Sequence, residues 1–120
     1  MLRGNGAVID RVRGQTGGVS VCFMTVAELA YGAEKSAKPE FNRTLVERFL
    51  LTVAVIESAR SSMRIFGKTK VALELAGVSL PDADLLIASV ALDRGLTLAT
   101  GNIKHFERIP KLRAEDWLHP

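Results

Sequence analysis

The sequence predicts a three-layer α/β domain, with helices covering a central parallel sheet. Two observations carry this expectation. Short β-rich runs at 19–23, 53–56 and 96–100 alternate with helical segments, and no two-residue hairpin turn joins one run to the next. At 120 residues the chain also has room for only one hydrophobic core, so 1–120 reads as a single domain.

The elements follow in chain order. Residues 1–18 are punctuated by Gly4, Gly6, Gly14, Gly17 and Gly18, and Ala7–Arg13 between them reads as a frayed helix of about two turns. Val19-Ser20-Val21-Cys22-Phe23 is β-rich and reads as a buried strand. Thr25, with Glu28 three residues later, has the form of a capping box opening a helix that frays from Gly32 to Ser36. Pro39 suits the first turn of the next helix, whose Phe41, Leu45, Val46, Phe49 and Leu50 form one apolar stripe. Val53-Ala54-Val55-Ile56 predicts a central strand. A long helix then opens at Glu57 or Ser58, carries Ala59, Met63, Phe66 and Leu73 on one side, and ends at Gly77. After the turn Ser79-Leu80-Pro81-Asp82, a helix from Ala83 to Arg94 is apolar almost all round and should be buried on most sides. Leu96-Thr97-Leu98-Ala99-Thr100 is the next strand. A short helix and an edge strand within 112–117 complete the domain.

Composition removes several function classes. Hydrophobic residues at 48% and charged ones at 24% exclude a disordered tail or a coiled coil. No apolar run approaches the roughly 20 residues of a membrane span, and the N-terminus lacks a charged-then-apolar signal pattern. Cys22 is the single cysteine, which rules out a disulfide framework or a Cys-rich zinc site and suits a reducing cytoplasm. With only His105 and His119, carboxylates, hydroxyls and amides must carry any metal chemistry. The net charge of +3 permits a nucleic-acid partner without requiring one.

In open parallel sheets, ligands bind beyond the carboxyl ends of the strands. Those junctions supply Glu28, then Asp82 and Asp84, then Thr100 and Asn102. Carboxylates gathered in such a crevice repel one another unless a cation joins them, and oxygen donors favour Mg²⁺ or Mn²⁺. Plainer readings stand beside this one. Glu28 fits the capping box, Asp82 fits an N-cap, and Thr100 with Asn102 fits a turn. Asp84 is different, because a carboxylate entering a buried helix needs a specific partner. Cys22 reads as core and Trp117 as a packing anchor. Arg60, Arg64 and Lys68 form a basic stripe at helical spacing, and Lys104, Arg108, Lys111 and Arg113 crowd the segment after the last long strand. Both groups suit a solvated face or a phosphate-binding rim.

Three motifs resemble one known family. Thr25-Val26-Ala27-Glu28-Leu29-Ala30-Tyr31-Gly32-Ala33 resembles the second-acid motif of PIN-domain ribonucleases of the VapC toxin type. Pro81-Asp82-Ala83-Asp84-Leu85-Leu86-Ile87-Ala88 resembles their third-acid motif. Thr100-Gly101-Asn102 with Phe106, and Ile109-Pro110 through Glu115-Asp116-Trp117, resemble their C-terminal signature. The resemblance implies a PIN fold, cleavage of RNA with Mg²⁺ or Mn²⁺, toxin homodimers and a cognate antitoxin. Residue by residue, Glu28 and Asp84 match the metal-binding acids, Asn102 matches a fourth position that is often acidic, and Thr100 matches a pocket-lining hydroxyl. The family opens with a strand ending in Asp-Thr-Asn, whereas Met1-Leu2-Arg3-Gly4-Asn5 resembles the stretch just after it. The expectation is therefore an N-terminally shortened PIN-like domain, weakly active, that self-associates through the gap left in its sheet or is less stable for it. Asp10 is a poor substitute for the first acid, because the stretch up to Glu28 is too short and Gly-rich for the required crossover.

Two alternatives remain open. One is a non-catalytic PIN-like protein that binds an antitoxin or RNA. The other, a phosphoacceptor regulatory domain, is disfavoured because Asp84 enters a helix after a proline turn instead of ending an apolar strand.

Overall fold

The computed structural model describes residues 11–13 and 19–116. In chain order the elements are β1 (Arg11–Arg13), β2 (Val19–Cys22), α1 (Phe23–Lys35), α2 (Pro39–Leu50), β3 (Ala54–Ile56), α3 (Arg60–Leu75), α4 (Asp82–Arg94), β4 (Thr97–Thr100), α5 (Ile103–Phe106) and β5 (Ala114–Asp116). The strands form one sheet in the order β3-β2-β1-β4-β5. The expected α/β architecture is present. The parallel pairs β2–β3 and β4–β5 carry Ser20 opposite Ala54 and Thr100 opposite Asp116.

The centre of the sheet departs from expectation. Arg11–Arg13, assigned to a helix from the sequence, is a strand antiparallel to both β2 and β4, with Val12 opposite Ser20 on one side and Leu98 on the other. Residues 7–10 lie outside the described residues. The sheet is thus mixed, and the position between β2 and β4 is filled from within the chain instead of standing open. The physical reason is backbone hydrogen bonding. Unpaired N–H and C=O groups on two buried strands cost about 1–3 kcal/mol each, more than the weak helical preference of a short Gly-flanked segment.

Val53–Ile56 also differs, since β3 is an edge strand and not a central one. Ala54 and Val55 are exposed and only Ile56 turns into the core. An unbroken apolar run does not distinguish a strand covered on both faces from one covered on neither.

The core is built around α4. Leu85, Ile87, Ala88, Ser89, Val90 and Ala91 are all buried, so this helix is enclosed over most of its circumference, as its composition predicts. It packs against α3 and α1, and the same cluster takes in Cys22, Leu73, Leu98, Phe106 and Ile109. Gly95 ends the helix with φ of 65°, a left-handed C-cap that glycine adopts without strain. A smaller cluster of Leu29, Ala33 and Val46 joins α1 to α2. There the chain does not fray at Gly32. The helix runs on to Lys35, and Ser36 closes it by donating to the Ala33 carbonyl at 2.6 Å while accepting from Asn42 at 2.8 Å.

At the far end of α4, Ser61 and Ser62 both donate to Asp93 Oδ2 at 2.8 Å. The carboxylate thus sits at the N-terminal turn of α3, where the helix dipole favours negative charge. These two hydrogen bonds hold the Asp93 carboxyl below its ordinary value.

Two expected outcomes follow from this packing. Ile87→Ala should lower unfolding stability by about 2–5 kcal/mol, read as a shift in the urea midpoint with little change in slope. A lowered carboxyl pKa gives stability that is complete above about pH 3.9 and is lost as pH falls through the folded-state value. Asp93→Asn should therefore flatten the acid limb of a midpoint-against-pH profile and leave its shape above pH 5 unchanged.

Candidate active site

The carboxyl ends of β2 and β4 and the first turn of α4 determine where polar groups gather. Thr100, the last residue of β4, is buried, and its Oγ1 accepts the Asn102 backbone N–H at 3.0 Å. That turn delivers Asn102 to the start of α5. There its side-chain amide lies 3.0 Å from His105 Nδ1. The same ring nitrogen is 3.1 Å from Asp84 Oδ2. Thr100, Asn102, His105 and Asp84 therefore form one connected chain of polar contacts.

One nitrogen cannot donate to Asp84 and accept from Asn102 at once. A protonated Nδ1 holds the carboxylate, whereas an unprotonated one takes the amide N–H. The ring is kept in place by an edge-on contact with buried Phe106, at 5.9 Å between centroids and 70° between planes. Asp84 is 7% exposed in the first turn of α4, where the helix dipole and His105 offset part of the cost of burying its charge.

Glu28 stands in the second turn of α1, which packs against α4. It is half-buried, with Oε1 closed off from solvent. The capping-box explanation does not survive. Helix α1 begins at Phe23 with Cys22 in the capping position, which places Thr25 inside the first turn and buried. Asp82 is not an N-cap either, because Pro81 occupies that position. Its carboxylate instead accepts from Lys70 Nζ at 3.0 Å, an exposed link between α3 and α4.

Asp84, Asn102 and Thr100 are thus brought together, with His105 as the joint. His105 belongs to no motif that marks it as a member of the site. The available signal was its position three residues after Asn102, which in a helical turn returns a side chain to the same face. Asp116 was named only within a motif, yet it is in register with Thr100 at the same end of the sheet. Cys22 is core, as expected, while Asp10, Trp117 and His119 lie outside the described residues.

The donor set bears on metal chemistry. Among the described residues, no group of three or more His, Cys, Asp or Glu is placed to hold an ion. The Asp84 carboxylate, the Asn102 amide and the Thr100 hydroxyl are oxygen donors of the kind a hard cation accepts when it keeps most of its water and takes few protein ligands. They do not suit a softer metal, which would want thiolate or several imidazoles.

Residues 4–112 match the family described as PIN domain. The chain belongs to the PIN-domain family. Among its relatives, Ribonuclease VapC2 of Haemophilus influenzae is 36% identical over 111 residues, covering 92% of this chain and 84% of the relative. The tRNA(fMet)-specific endonuclease VapC of Salmonella typhimurium is 36% identical over 108 residues, covering 90% and 82%. The solved structure of VapBC2 from Rickettsia felis, bound to a DNA fragment from their promoter, superposes with a TM-score of 0.79. It is 38% identical over 82% of this chain and 74% of that one. The PIN fold therefore holds here with an antiparallel strand at the sheet centre. Among the described residues, no helix is long and apolar enough to cross a membrane.

The His105–Asp84 contact is open to a double-mutant cycle. His105→Ala and Asp84→Asn, alone and together, should show a coupling of about 1 kcal/mol in unfolding stability. Strictly additive effects in chemical denaturation would mean that the two side chains do not support each other.

Proposed function

We propose that this chain is a toxin-type endoribonuclease that hydrolyses RNA phosphodiester bonds with Mg²⁺ or Mn²⁺. The observation that carries the reading is the buried Asp84 carboxylate. It sits at the head of the most enclosed helix, fixed by a histidine that also touches Asn102. A carboxylate buried for stability alone would be better replaced by an apolar residue. Relatives named as ribonucleases and as a tRNA(fMet)-specific endonuclease support the same reading.

Glu28 and Asp84 would hold the ion, and Thr100 and Asn102 would line the pocket beside it. When bound, such an ion neutralises phosphate charge and lowers the pKa of water. His105 sets the orientation of Asp84, and the apolar body of α4 keeps bulk water from the floor of the site. Solved relatives that are VapBC complexes support a cognate antitoxin as partner. We further assign a homodimer as the working form and the cytoplasm as its location.

A second reading has its own observation. The described residues offer only two acids from the family pattern and no three-membered metal-binding group, which favours a non-catalytic PIN-like protein that binds an antitoxin or RNA. Titrating Mg²⁺ and Mn²⁺ in an RNA cleavage assay separates the two. The nuclease reading expects weak but metal-dependent cleavage at millimolar ion, reduced about 100-fold or more by Asp84→Asn with the fold intact by circular dichroism. Cleavage that survives Asp84→Asn would place the chemistry elsewhere. RNA binding with no cleavage at any ion concentration would establish the non-catalytic reading.

A further inference from the structure

The basic stripe of α3 and the basic segment after β4 lie some forty residues apart in sequence, yet the fold brings one lysine from each to the same groove. Ile65, Lys68 and Thr69 of α3 form one wall, Leu92 of α4 the floor, and Pro110 and Lys111 the other wall, around about 340 Å³ of open space. The groove continues past Ala72. Among the described residues, no carboxylate lines it. Among the described residues, neither Lys68 nor Lys111 is paired with an acidic side chain. This contrasts with Lys70 and Arg43, which are neutralised by Asp82 and Glu34.

Lys111 holds φ at 67°, a left-handed conformation that a lysine adopts at a cost and a glycine would not. Lys111 lines the same groove as Lys68. Along α3, exposed Arg60, Arg64 and Lys68 continue the positive charge in steps of about 6 Å of helix rise. Leu92 lies two turns beyond Asp84 on α4, about 12 Å along its axis. The groove is therefore separate from the carboxylate site but within the reach of a strand that passes through it.

We propose that this groove binds the phosphate backbone of single-stranded RNA, outside the bond being cleaved. Two lysines act as point charges for phosphate oxygens, the Thr69 hydroxyl offers a donor, and Ile65, Leu92 and Pro110 give a flat apolar surface for sugar and base. An acidic peptide would also meet the charge. The evenly spaced basic positions on α3, running on from the groove, fit the regular repeat of a polynucleotide better. The inference extends the nuclease reading and rests on it for the identity of the anion.

Binding is measured without chemistry, by fluorescence anisotropy of a labelled oligouridylate in EDTA, against the intact chain, Lys68→Ala/Lys111→Gly and Lys38→Ala. Glycine at 111 suits the left-handed backbone, so the double variant should keep the fold, which circular dichroism checks. Lys38 is an exposed charge before α2 and serves as control. The double variant should bind about fivefold or more weakly at 0.1 M salt, with a log Kd against log salt slope shallower by about 1.4, while Lys38→Ala binds as the intact chain. Equal affinity and slope for the double variant and the intact chain would overturn the proposal. So would polyglutamate displacing the probe as well as unlabelled RNA does, since the groove would then be a peptide site. Groove-dependent binding in a protein that cleaves no RNA would uphold the groove and remove the nuclease reading alone.

Discussion

The burial of α4 is the constraint on which the rest of this molecule depends. A helix with Leu85, Ile87, Ala88, Val90 and Ala91 all enclosed needs cover from several directions, and α1, α3 and β4 provide it. At roughly 1.5–3 kcal/mol for each large apolar side chain removed from water, this helix gathers much of the favourable energy of folding. Its two ends are fixed accordingly. Asp93 accepts from two serines of α3 at one end, and Asp82 meets Lys70 at the other. Only one charged side chain, Asp84, goes into the interior with it.

That single carboxylate connects packing to chemistry. A buried negative charge has to be held, and His105, from a short helix after β4, reaches Asp84 within 3.1 Å. His105 is itself placed by Phe106, which belongs to the same apolar cluster as α4. The interactions that stabilise the core therefore also fix the orientation of the candidate site. Exposed pairs such as Arg43 with Glu34 have no such consequence, for they hold two surface side chains in high dielectric.

The centre of the sheet shows how backbone hydrogen bonding overrides local preference. Arg11–Arg13 has neither the length nor the composition that marks a strand in sequence, but it stands between two strands whose inner ladders require a partner. Pairing with both satisfies donors and acceptors on each side at once. The result keeps the PIN fold's helical layers around a mixed sheet.

The sequence by itself determined what depends on local chemistry. The apolar circumference of 83–94, its closure by Gly95, the proline start of α2 and strands within 19–23 and 96–100 follow from side-chain pattern and backbone preference, and all are present, the strands as Val19–Cys22 and Thr97–Thr100. The candidate acids Glu28 and Asp84 and the pair Thr100 and Asn102 were legible as polar residues at strand-to-helix junctions. Tertiary structure alone decided the remainder. It made Arg11–Arg13 a central strand and moved β3 to an edge. It also gave Asp82 to Lys70 and brought His105 to Asp84. Each of these depends on a partner distant in the chain, and a hydrogen bond or an ion pair between distant residues leaves no periodicity in the sequence that names both of its ends.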